Sequence, residues 1–293
     1  MKKSISGGLC ALSALTAVGS TLIFFPFKFK DGADIISLLI SFLIAFLLTM
    51  FFYPMTTGFF GAEKFHYKRA FEFVKIPIFM FFEAALLLFA VSTLCDFTSF
   101  TSDVILPNVP KWLIFLALGL VTVILASGHF SALSKTAILS FFAVAVLTAV
   151  IFIFSIPDMD LKYIKPRDGF NVAEILKNTL CITLMTFAES FVALSVIGER
   201  ASEKRSVLVG NLVGGGIILI SVLNALLVFG GEFSAELRYP YISAVRTVGE
   251  KDVFSGLEGF LYLTVFLCCV IKISLSLFGV KLLANKIQDI KNF

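Results

Sequence analysis

The chain has 293 residues, 58% of them hydrophobic and 15% charged, with a mean hydropathy of +0.98. Soluble domains carry about 25% charged residues, so the composition excludes an ordinary soluble globule and describes a protein built for lipid. The net charge of +4 is spread over the loops. It makes no nucleic-acid patch and is the modest excess carried by a chain that faces anionic lipid.

A bilayer-crossing helix needs about 20 mostly apolar residues. Eight stretches qualify, near 4–27, 34–55, 74–95, 111–127, 133–156, 176–198, 206–230 and 256–280. No interval between them holds an independent soluble domain. The expectation is an all-α polytopic membrane protein forming a single transmembrane domain over 1–293.

The first stretch opens as MKKSISGGLCALSALTAVGS, which has the look of a signal peptide. Its apolar run continues to Pro26, so an uncleaved first span is expected. Gly19, Ser20 and Thr21 lie inside it. Gly costs about 1 kcal/mol in a helix interior relative to Ala, and unwound backbone at membrane depth is tolerated only where it lines a cavity. The cluster predicts a local break in the helix, with small-residue packing as the alternative.

The third stretch holds Glu83 among Phe79, Met80, Leu86 and Leu87. A charge near the bilayer centre costs roughly 2.5–3.5 kcal/mol on insertion scales, so such a group must face a partner or a watered cavity. The sixth stretch carries Thr179, Thr183, Thr186 and Ser190 at 4, 3, 4 spacing, with Glu189 at the stripe's edge. Hydroxyls that donate or accept, beside a carboxylate that can take an amine or a proton, suit a path or pocket for a small polar solute.

In the seventh stretch Gly210, Gly214, Gly215 and Gly216 read as close helix packing. The segment from Glu232 to Phe254 reads as an interfacial helix anchored by Tyr239 and Tyr241, with Arg238 and Arg246 near headgroups. The eighth stretch places Cys268, Lys272, Ser276 and Gly279 on one face. Lys272 has about half of its span on either side, too deep to snorkel. It is expected to pair with Glu189 or Glu83, or to balance charge in place of a coupling cation. The residues do not choose between the two carboxylates.

The five cysteines show neither CxxC nor Cys/His spacing, and His66 and His129 are isolated in loops. No metal or disulfide site is expected. Without a nucleophile–base pair or a phosphate-cradling loop, neither catalytic residues nor a cofactor are expected, and the chain is not read as an enzyme. Lys and Arg are slightly denser on the loops that share a side with both termini, which places those termini in the cytoplasm. Lys162, Lys165, Arg167 and Lys177 sit against that assignment.

Several segments together carry a resemblance: GSTLIFFP, GHFSALSKTAILSFF, SIPDMDLKYIKPRDGFNVAEILKNTL, FAESFVALSVIGE, YPYISAVRTV and FSGLEGFLYLTVFLCCVIKISL. In their order and spacing the chain resembles the B-subunit family of spore germinant receptors, the permease-like component, within the amino acid–polyamine–organocation superfamily. The resemblance implies a LeuT-like fold of two inverted repeats with broken first and sixth helices. The first repeat would be helices 1–5, near 4–156, and the second helices 6–8, near 176–280. Members have ten helices, so the ninth and tenth are expected to be absent here, truncating the second repeat.

The resemblance further implies a small nutrient, an amino acid or similar, bound between the first, third, sixth and eighth helices. Signalling would pass to other receptor subunits in the inner membrane of a spore-forming bacterium; a proton-coupled amino-acid permease is the alternative. The expected substrate-binding residues are Gly19, Ser20, Thr21, Thr186, Glu189 and Ser190, with Lys272 and Glu83 for charge balance or proton coupling.

Overall fold

The computed structural model describes residues 2–22, 32–61, 69–164, 172–197, 204–251 and 257–292. Pro26 and His66 lie outside them. Among the described residues the chain is nearly all helical, with no strand. In order the elements are α1 (Lys2–Val18) with a 3-10 turn at Gly19–Leu22, α2 (Gly32–Gly61), and α3 (Arg69–Phe100) with a π turn at Thr101–Ile105. Next come α4 (Lys111–Ser127) and α5 (Phe130–Ser155), then α6 (Val172–Ile182), a π turn at Thr183–Phe187, and α7 (Ala188–Val196). The chain continues with α8 (Lys204–Phe229), the short α9 (Gly231–Glu236), α10 (Pro240–Lys251) and the long α11 (Leu257–Asn292).

Among the described residues, each of the eight apolar stretches therefore contains helix. Five of the described helices are long and apolar enough to cross a membrane, over Asp34–Phe51, Lys75–Ile105, Phe130–Asp158, Lys204–Phe229 and Glu258–Ile290. The other three are α1 and α4, apolar but only 17 residues each, and the interrupted pair α6 and α7. Large exposed side chains such as Phe81, Leu88, Leu116, Leu120, Ile124, Leu139 and Phe142 cover the outer faces. In water they would form an aggregating patch; against hydrocarbon they are matched.

Two helices form the centre. In α1, Leu9, Leu12, Leu15 and Val18 are fully buried, and α11 buries nearly everything from Cys268 to Ser276. The core of α1 is reached by close approach to α8. A Cβ on Gly210 would run into the Cys10 carbonyl and lie 2.6 Å from Ser13 Cβ; one on Gly214 would lie 2.7 Å from the Ala14 carbonyl oxygen. The two helices run parallel and touch through backbone, as small-residue interfaces permit. Ser13 then donates to Asn211 Oδ1 at 2.6 Å and Asn211 Nδ2 donates to Thr49 at 3.1 Å, which ties α1, α8 and α2 together.

The segment read as an interfacial helix is placed differently. Tyr241 and Tyr239 are almost fully buried, and α10 packs on α8 and α11 with Ile242, Ala244 and Val245 turned inward. Tyr239 meets the Phe100 ring at 5.5 Å, and Tyr241 shares a hydrogen bond with Ser221. A one-sided apolar stripe looks alike whether it faces lipid or protein, which explains the difference. Arg238 is held by Asp103 at 2.7 Å, and Arg246 donates to Tyr262 at 2.8 Å beside Glu258.

Candidate functional site

Two helices lose their regular bonding at the centre of the bundle. α1 gives way at Gly19, whose φ of +26° is a conformation that L side chains rarely adopt. Its end is closed by Thr21, whose hydroxyl donates to the Ala17 carbonyl at 2.8 Å and also to that of Val18. Gly19 is constrained from the other side as well. A Cβ there would strike Cδ of Lys272 and lie 3.1 Å from its Nζ. The lysine stem lies across the break.

The second interruption is the π turn Thr183–Phe187 between α6 and α7. Such bulges insert a residue into the helical ladder and occur often at functional sites. The four hydroxyls predicted to share a stripe are all buried. Thr179 donates to the Ser37 carbonyl at 3.3 Å, Thr183 to that of Thr179 at 2.8 Å, and Ser190 to the Thr16 hydroxyl at 2.7 Å. Thr186 is different. Its hydroxyl is completely buried, and among the described residues it has no hydrogen-bond partner.

Next to these breaks sits an ion pair. Lys272 Nζ on α11 lies 3.1 Å from Glu189 Oε2 on α7, with side chains only 3% and 2% exposed. The other carboxylate oxygen, Oε1, accepts a 2.6 Å hydrogen bond from Ser276, one turn along α11 from the lysine. Charges this deep survive only when paired and hydrogen-bonded, and removing one partner of such a pair costs about 3–5 kcal/mol. Chemically the arrangement is a carboxylate that can take an amine, shut off by an ammonium that already occupies it.

The structure thus brings Gly19, Glu189 and Lys272 into contact, and adds Ser276, which the sequence reading had placed only on the lysine's face. Ser190 is bonded to α1, and Thr21 is turned onto its own helix. The side chain of Ser20 is outside what is described. Glu83 stands apart. α3 and α11 run antiparallel, with Leu86 reaching the Gly279 position at 2.8 Å, Phe97 6.0 Å from Phe266 and Phe100 5.8 Å from Tyr262. In that register Glu83 is level with about residue 282, roughly 15 Å along the axis from Lys272 at 1.5 Å per residue. It is partly buried, with no polar partner among the described residues.

The carboxylate that α3 brings nearer to Lys272 is Asp96, which the same register sets level with about residue 267 on α11. It was missed because the apolar run ends at residue 95, whereas the helix continues to Phe100. A charged residue one position past a hydropathy boundary reads as a loop. Among the described residues no group of three or more His, Cys, Asp or Glu side chains is arranged to hold a metal.

A bundle of apolar helices, with two interrupted helices meeting at a buried ion pair, defines a multi-pass membrane protein with a polar centre. Residues 8–293 match the family model described as spore germination protein, and the chain belongs to that family. No curated protein shows a significant match to the chain.

Proposed function

We propose that the protein is the membrane subunit of a spore germinant receptor, which binds a small nutrient carrying an amine, such as an amino acid, and passes its occupancy to partner subunits. The observation that carries this reading is the Glu189–Lys272 pair, buried where α1 and the α6–α7 helix both break. A pair kept only for stability has no need of two interrupted helices around it. Interrupted helices with free backbone groups are a recurring device for holding zwitterions in transporters.

In this reading the ligand amine replaces Lys272 on Glu189. Thr186 offers the hydroxyl left without a partner, and the backbone at Gly19, Ser20 and Thr21 frames the space now crossed by the lysine stem. Membrane placement follows the same proposal: eight spans in a LeuT-like inverted-repeat arrangement, in the inner membrane, with cytoplasmic termini. Displacing the lysine shifts α1 and α11 relative to one another, and that shift is the signal to partners.

The test is Glu189→Gln in spores, with nutrient-triggered germination normalised to membrane abundance. Glutamine keeps the volume and still accepts from Ser276, but offers no charge to an amine. Germination is expected to fall by about tenfold or more, the loss of a charge-assisted contact of 1.5–3 kcal/mol. Germination equal to that of the parent at equal abundance overturns the pocket. Rapid uptake of labelled amino acids into proteoliposomes under a pH gradient would instead make the protein a proton-coupled permease.

A further inference from the structure

We propose that Asp96 is a second counter-ion for Lys272, and that the cluster Glu189–Lys272–Asp96 selects ligands by their amine rather than by their carboxylate. The inference rests on the pocket reading above and assigns it a ligand chemistry.

The register of α3 on α11 places Asp96 level with about residue 267, five residues from Lys272, or about 7–8 Å along the axis. Helical side chains lean toward the N-terminus of their own helix, which for α11 is the direction of Asp96. The lysine stem therefore spans much of the gap. Asp96 itself is partly buried and has no hydrogen bond or ion-pair contact among the described residues.

The two ends of the Glu189–Lys272 contact are not held equally. Glu189 is fixed by Ser276 at 2.6 Å as well as by the lysine. Lys272 has one polar contact, the 3.1 Å approach to Glu189, among the described residues. When a ligand amine arrives, the lysine is the group that leaves. It needs a new counter-charge inside lipid, because an unpaired buried ammonium is costly, and Asp96 lies within its reach. Its departure also vacates the break at Gly19, which its Cδ and Nζ now fill.

Counting charges gives the selectivity. Two carboxylates and one ammonium leave the cluster short by one cation. An amine supplies it, so that Glu189 holds the ligand and Asp96 holds Lys272. An acid without an amine adds a third anion and is repelled. A zwitterion satisfies the pairs through its amine and offers its carboxylate to the unpartnered hydroxyl of Thr186.

The experiment uses the full chain in lipid nanodiscs and isothermal titration with three probes: valine, its decarboxylated amine isobutylamine, and its deaminated acid isovalerate. Valine and isobutylamine are expected to bind, and isovalerate is not. Asp96→Asn weakens both amines by about tenfold, while Asp96→Glu, which keeps the charge, stays within about threefold of the parent. Circular dichroism of both variants checks that they fold, and the Asp96→Glu result keeps the comparison decisive if Asp96→Asn is damaged. Unchanged binding in Asp96→Asn, with binding lost in Glu189→Gln, overturns the role of Asp96 and leaves the pocket standing. Unchanged binding in both overturns both, as does the absence of amine binding to the parent. Isovalerate binding as tightly as isobutylamine overturns the selectivity.

Discussion

Replacing glycine by alanine along α8 gives opposite results at positions only two and six residues apart. Gly210 and Gly214 face the backbone of α1, and Gly216 faces open space with nothing within 4 Å of a new Cβ. Carbon atoms pack best at about 3.5–4.0 Å, so the 2.6 Å between a Cβ on residue 210 and Ser13 Cβ requires the helices to part by about 1 Å. Overpacking of this kind costs about 1–3 kcal/mol. The change from Gly to Ala in a helix returns about 1 kcal/mol. The net expectation is a loss of about 0–2 kcal/mol for Gly210→Ala and Gly214→Ala, against a gain of about 1 kcal/mol for Gly216→Ala. Because a single displacement of α1 relieves both contacts, the double variant at 210 and 214 loses less than the sum. Unfolding of the purified protein in mixed micelles, followed by helical circular dichroism, measures all four variants. The reasoning fails if Gly210→Ala is as stable as Gly216→Ala, or if the double variant is strictly additive. The same displacement drags Gly19 away from Lys272, so the 210 and 214 variants also lose ligand response.

Gly19→Ala meets both a strained φ, costing about 1–2 kcal/mol, and the lysine stem; membrane abundance falls on immunoblots, and adding Lys272→Ala together with Glu189→Leu, which removes the stem without leaving a lone buried carboxylate, restores part of it without restoring germination. Lys272→Met leaves Glu189 buried without its cation and destabilises the protein by about 3–5 kcal/mol. The double variant Glu189→Leu, Lys272→Met returns abundance close to the parent's while the nutrient response stays absent; response in that double variant would reduce the pair to a structural one. Thr186→Val removes a buried hydroxyl that has no partner, whose burial costs about 1–3 kcal/mol. It is expected to leave thermal stability unchanged or raised and to weaken amino-acid binding, and a clear drop in stability would show that the hydroxyl is bonded in the native state.

Much of the molecule was legible in the amino-acid string because lipid imposes local rules. Apolar runs mark helices whatever surrounds them, and an ionisable residue inside such a run stands out before any fold is known. Glu189, Lys272 and the hydroxyls of the sixth stretch were found in that way, and Gly19 by the cost of glycine in a helix. What pairs with what was decided only in three dimensions. Glu83 and Asp96 lie on one helix, and the packing of Leu86 against Gly279 and of the Phe97–Phe266 rings sets which of them is level with Lys272. That register is a property of two surfaces far apart in the chain, and no local pattern encodes it. The inward turn of Tyr239 and Tyr241, and the bond that turns Thr21 onto its own helix, have the same origin. Hydropathy reports how much of a side chain leaves water, whereas only the packed neighbours determine which polar group it meets once there.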